Sequence, residues 1–148
     1  MKGEHHLAIS VVAAAAIYAT TRSVPMIATF LAAGVLLDLD HWMDYWAEYG
    51  PRFDIRHFLN AIATKAFRRA FVLLHAWEGV ILSAFLTWWT GWTPWLAGLT
   101  LGWGIHLLLD QGFNSPSPWA YSLLWRLWGR FDYKRAFPKP YEPEDPGT

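Results

Sequence analysis

The chain has no cysteine, no net charge, and long stretches with almost no charge at all. Without cysteine there can be no disulfide framework, no thiolate zinc site and no cysteine nucleophile, and the redox compartment stays open. With 12 Lys and Arg set against 12 Asp and Glu, the protein has no general basic field to hold nucleic acid, and no nucleic-acid partner is expected. A length of 148 residues allows one domain.

What fills the chain is apolar. Hydrophobic residues make up 54% and there are 11 Trp, yet the mean hydropathy is only +0.16. The average hides a segregation. Residues 7–37 carry one charge, Arg22, and residues 70–109 carry one, Glu78. A water-soluble domain spreads charge over every surface element, whereas a membrane protein confines it to the parts outside hydrocarbon.

Four apolar stretches stand out, at 7–21, 24–39, 71–89 and 94–109. Each approaches the length that crosses a bilayer at about 1.5 Å per residue. Short turns around Ser23-Val24-Pro25 and Thr90-Gly91-Trp92-Thr93-Pro94 join them in pairs, with proline suited to the start of the second helix of each pair. The expected fold is therefore all-α: a polytopic membrane bundle of four transmembrane helices in two hairpins.

Between the hairpins, residues 50–70 place Phe58, Leu59, Ile62, Ala66 and Phe67 at helical spacing among Arg52, Arg56, Lys65, Arg68 and Arg69. This predicts an amphipathic helix lying in the interface, and residues 119–131 predict a second. His57 is expected to face headgroups. Trp42, Trp46, Trp88, Trp89, Trp92, Trp95, Trp119, Trp125 and Trp128 fall near span ends, as an aromatic belt does. Residues 1–137 form the predicted domain, with a Pro-rich acidic tail at 138–148. Lys2 precedes an apolar run, but Glu4, His5 and His6 suit a signal peptide poorly, so no cleavage is expected.

Ionisable residues near hydrocarbon are costly and normally have a function. His5 and His6 open the first span, and Asp38, Asp40, His41 and Asp44 close the second. His75 and Glu78 begin the third, and His106 and Asp110 end the fourth. An up-and-down path brings all four groups to one face, together with eleven of the twelve basic residues. By the positive-inside rule that face is cytoplasmic, which places both termini in the cytoplasm and the protein in the cell (inner) membrane.

His75 and Glu78 are i, i+3, and His106 and Asp110 are i, i+4, so each pair shares a helix face. Asp38 and Asp40 are i, i+2 and serve one site only if the helix unwinds there; Asp40 with Asp44 is the helical alternative. Imidazole and carboxylate groups pointing inward from facing helices build metal sites in bundles. Such ligands suit zinc, manganese or iron, with zinc first, and two ions are expected. Gly98 and Gly102 let the fourth span approach a neighbour closely.

His5-His6, Gly34 through Asp38-Leu-Asp40-His41, His75-Ala-Trp-Glu78, and His106-Leu-Leu-Leu-Asp110-Gln-Gly-Phe-Asn114 resemble the family of membrane-bound metal-dependent hydrolases of bacteria and archaea. The resemblance covers about residues 5 to 130. That family is distantly similar to the zinc-dependent phospholipase C and single-strand nuclease superfamily, whose helical cores use His-x3-Asp ligand pairs. The resemblance implies His5 or His6, Asp38, Asp40, His41, His75, Glu78, His106 and Asp110 as ligands. The chain departs from the pattern at Leu37, where many members have proline, and at Leu74-His75-Ala76, where many have Thr-His-Ser.

These readings point to hydrolysis of a phosphoester in a lipid or membrane-proximal substrate. Asp40 or Glu78 would take the proton from water, and Arg69, Asn114 and Arg126 would contact the substrate. An inner-membrane metal carrier or sensor without hydrolysis is the alternative, and a purely structural lipid-packing bundle is a third.

Overall fold

A computed structural model describes residues 3–114 and 117–138, excepting the side chains of residues 3–6 and 114. The described residues are all-helical, with no named strand. Helix α1 (Gly3–Thr21) turns at Arg22, whose φ of 52° reverses the chain. Helix α2 (Val24–Leu36) follows, capped by the Ser23 side chain and started by Pro25. A 3₁₀ turn (Leu37–Asp40) leads without a break into α3 (His41–Tyr49). Helix α4 (Ile55–Ala63) begins at its Asp54 cap. Helices α5 (Trp77–Trp89) and α6 (Pro94–Asn114) form a second hairpin, with Gly91 and Trp92 at positive φ in the turn. Two short helices, α7 (Leu123–Trp128) and α8 (Tyr133–Ala136), complete the chain.

Three expected helices are shorter than their apolar patterns. Residues 71–76 of the third stretch are not helical, and α5 starts only at Trp77. The amphipathic segment 50–70 is helical only over α4, and segment 119–131 only over α7. Residues 71–75 bond instead to partners outside the helix, as described below, while α4 and α7 close on their own last carbonyls. Among the described residues one helix, the continuous run Val24–Tyr49, is long and apolar enough to cross a membrane; Leu7–Thr21 is a shorter apolar helix. The tail beyond residue 138 lies outside the described residues.

The strongest packing is between α2 and α6, which run parallel because each ends its own hairpin on the same side. A Cβ on Gly98 would stand 2.1 Å from the Met26 carbonyl oxygen, and one on Gly102 would stand 2.3 Å from that of Phe30. One turn further on, His106 Nδ1 lies 3.1 Å from the Gly34 carbonyl oxygen. Met26, Phe30, Gly34 and Asp38 thus face Gly98, Gly102, His106 and Asp110, two four-residue ridges meeting in constant register. Glycines bring the backbones together along most of the seam, and the ionisable residues occupy its end. The close approach expected at Gly98 and Gly102 is made to α2.

Two aromatic clusters flank this seam. Tyr45, Phe58 and Ala61 are buried with Trp42 against them, and the Trp42 ring stacks on Phe58 at 4.0 Å. Trp42 therefore belongs to a core rather than to the expected belt. Trp88, Trp89, Trp92, Trp95, Trp119 and Trp128 are exposed. Leu107, Ala120 and Tyr121 form the second cluster, with Trp103 beside it.

Candidate metal centre

The 3₁₀ turn decides how the first acidic pair is used. With about three residues per turn, Asp38 comes over His41, while Asp38 and Asp40 project to different sides. Both still reach His75, from opposite edges of its ring. Asp40 Oδ1 is 2.9 Å from His75 Nδ1, and Asp38 Oδ1 is 3.4 Å from His75 Nε2.

Four ligand atoms from three segments then converge. His75 Nε2 and His106 Nε2 are 3.1 Å apart. His75 Nε2 lies 3.3 Å from Asp110 Oδ2, while His106 Nε2 lies 3.4 Å from Asp38 Oδ1 and 3.5 Å from Asp110 Oδ2. A tetrahedral zinc site with bonds of about 2.0–2.2 Å separates its ligand atoms by roughly 3.3–3.6 Å. The four histidine–carboxylate spacings fall in that range and the His75–His106 separation is slightly shorter, so Asp38, His75, His106 and Asp110 can hold a metal ion. Without a cation, two imidazole nitrogens face each other and only one of them can carry the proton between them.

The far side of each ring supports the same assignment. A metal-ligating histidine usually gives its other ring nitrogen to a carbonyl or carboxylate, which fixes the tautomer and the ring plane. His106 Nδ1 meets the Gly34 carbonyl, and His75 Nδ1 meets Asp40. The His75–Asp40 contact is an ion pair without good hydrogen-bond geometry. Asp40, His41 and His75 form a second group able to hold an ion. It uses the same histidine, so the two groups are not independent.

Residues 71–75, which carry His75, are non-helical, and side chains satisfy much of their backbone. Asp44 Oδ1 accepts from the Phe71 and Val72 N–H groups at 2.7 and 3.3 Å, and Asp40 Oδ2 accepts from that of Leu74 at 2.8 Å. Arg126 donates to the carbonyls of Phe71, Val72 and His75 at 2.7–3.0 Å. Trp103 Nε1 donates to the Leu74 carbonyl at 2.6 Å. Arg126 is 1% exposed. Burial lowers its pKa, and the charges of Asp40, Asp44 and Glu78 oppose that shift. Burial raises the Tyr133 phenol to about 12, with the charge of Asp44 adding to it.

Of the residues singled out in the sequence, Asp38, Asp40, His41, His75, His106 and Asp110 come together. His41 stacks obliquely on His75 at 4.9 Å between ring centroids, and its Nε2 is 3.9 Å from Asp38 Oδ1. Glu78 is not among them. Its carboxylate accepts from the Ser122 hydroxyl and from the Leu123 and Leu124 N–H groups, capping α7. Arg126 points inward to backbone carbonyls rather than outward to a substrate, and Arg69 is exposed beside a polar surface cavity. His57 Nδ1 meets the Tyr45 hydroxyl at 2.9 Å, away from the metal ligands. The side chains of His5, His6 and Asn114 lie outside the described residues.

Sequence reasoning missed Asp44, Trp103 and Arg126 as supports of the His75 segment. A signal was available for Arg126, an arginine inside the apolar run Leu123-Leu124-Trp125-Arg126-Leu127-Trp128. Comparison of the chain with known proteins finds no matching family model, no matching curated protein and no matching solved structure.

Proposed function

We propose that the protein is a membrane-embedded, metal-dependent hydrolase of phosphoester bonds, with its metal centre at the cytoplasmic face. The observation that carries this reading is the set of four ligand atoms at tetrahedral spacing, with both histidines held from behind. Exposed apolar side chains on the long helices, among them Val12, Ile81, Leu82, Trp89 and Leu101, support burial in lipid, as does the gathering of basic residues on one side. On this reading four apolar helices cross the inner membrane, with both termini in the cytoplasm.

A divalent cation in the centre would supply Lewis acidity to a phosphoester and a nucleophile at neutral pH. Zinc suits the donor set best, with manganese and iron next. Both rings of His75 and His106 hold their Nε2 atoms toward the centre, and Asp110 completes the inner wall. Asp38 is the outer ligand, with its side chain 40% exposed, so it is the group able to yield a position to substrate. Asp38 and His41, rather than Asp40 and Glu78, are placed to orient water, because Asp40 faces His75 and Glu78 caps α7. Two ions held through opposite nitrogens of the His75 ring would be too far apart for the roughly 3.5–4 Å of a two-metal hydrolase. The arrangement therefore favours one ion with Asp40 as its supporting carboxylate.

A metal-sensing site without hydrolysis is the second reading, favoured by the four protein ligands, which leave a tetrahedral ion no vacant position. One experiment separates them. The purified full chain should bind one equivalent of zinc and cleave bis(p-nitrophenyl) phosphate, His106→Ala should lose both, and Asp38→Ala should keep some zinc. Zinc binding with no cleavage of any phosphoester would favour the sensor, and absence of stoichiometric metal in every preparation would end both readings.

A further inference from the structure

A cavity of about 390 Å³ opens beside the metal centre, with Asp110 and His41 in its wall. Ligand pockets run from roughly 300 to 1,000 Å³ and are mostly apolar with a few placed polar groups. Ile62, Phe67, Val72 and Phe137 supply the apolar part of this one. Its polar groups differ in availability. Asp44 is committed to the Phe71 and Val72 N–H groups, and Asp110 to the histidines of the centre. Lys65 is exposed and forms no ion pair among the described residues.

Lys65 also sits in an unusual place. It follows the end of α4, where its N–H bonds to the Ile62 carbonyl and the Ala66 N–H to that of Ala61, the double closure that ends many helices. Its φ is 52°, a left-handed conformation that normally selects glycine because a Cβ crowds the following carbonyl. A lysine kept at a glycine position costs stability, and the return is a cation on the cavity wall.

From the apolar wall, the free lysine and the adjoining metal ligands, we propose that the cavity binds an amphiphile with one hydrocarbon tail and an anionic phosphate-type head. The tail lies against Phe67, Val72 and Phe137, and the head is held by Lys65 beside the metal centre. This deepens the hydrolase reading and rests on it for the role of the head group.

The test uses the full chain in nonionic micelles with zinc present and three probes: dodecylphosphonate, whose C–P bond resists hydrolysis, dodecanol and methylphosphonate. Calorimetry should show saturable binding of dodecylphosphonate at least tenfold tighter than either of the others. Lys65→Gly, which relieves the left-handed strain and should melt no lower than the parent, should weaken that binding at least tenfold. Ala63→Trp, at an exposed position on the cavity wall, should weaken it likewise. Equal binding of dodecanol, or unchanged binding in either variant, would overturn the proposal. Tight dodecylphosphonate binding without cleavage of any phosphoester would sink the hydrolase reading and leave the pocket. Cleavage of bis(p-nitrophenyl) phosphate with equal binding of all three probes would do the reverse.

Discussion

Gly102→Ala should disable the metal centre from a distance, because Gly102 sets the approach of the two helices that carry it. The added Cβ would stand 2.3 Å from the Phe30 carbonyl oxygen, where an ordinary contact begins at 3.4 Å. Helices α2 and α6 must therefore separate by about 1 Å at this level. One turn later the Gly34 carbonyl holds His106, and two turns later Asp38 and Asp110 face each other across the centre. Overpacking of this kind costs roughly 1–3 kcal/mol, against which the better helix propensity of alanine returns at most about 1 kcal/mol. Disturbing what holds a ligand from behind typically lowers metal affinity about 10- to 100-fold.

Two glycines of the same helix serve as controls. A Cβ on Gly104 meets only Val80 Cγ1 at 3.6 Å, and one on Gly112 meets nothing within 4 Å. All three variants gain the same propensity, so only Gly102→Ala should lose zinc affinity and thermal stability. Zinc competition against a fluorescent chelator in micelles, with thermal unfolding alongside, measures both. Equal zinc affinity in Gly102→Ala and Gly104→Ala would refute the idea that the seam sets the site.

Glu78→Ala removes the acceptor for two α7 N–H groups and should cost about 0.5–2 kcal/mol in unfolding experiments, as lost caps do, while zinc stoichiometry stays unchanged. Arg126→Met leaves three carbonyls without their donor, those of Val72 and His75 fully buried and each costing on the order of 1–3 kcal/mol; a large loss of stability together with weakened zinc binding is expected. Tyr133 keeps its proton to about pH 12 in the folded state, whereas an unfolded tyrosine loses it near 10. Because the folded pKa is the higher, stability should fall as pH rises from about 10 to 12, and unfolding of Tyr133→Phe measured across that window should show a shallower decline.

The helical class, the two hairpins and the collection of His and Asp residues at their ends are legible in the residues alone. These follow from periodicity, turn residues and the parity of an up-and-down path, which are properties of the chain read locally. The small-residue spacing at Gly98 and Gly102 likewise announced a close helix contact. Which residues at that end belong together depends on long-range packing. Glu78 shares a helix face with the His75 side in the i, i+3 pattern, yet α5 begins at Trp77, so His75 sits in a non-helical segment and the spacing rule does not apply to it. Asp38 and Asp40 could meet one histidine only because residues 37–40 tighten to a 3₁₀ turn, and Arg126, expected to contact substrate, is drawn inward by carbonyls of a segment 51–55 residues earlier. Local pattern fixes which face of a helix a side chain occupies. Which unsatisfied backbone groups lie opposite that face is set by the packing of distant segments, and there a carboxylate became a cap and an arginine became a brace.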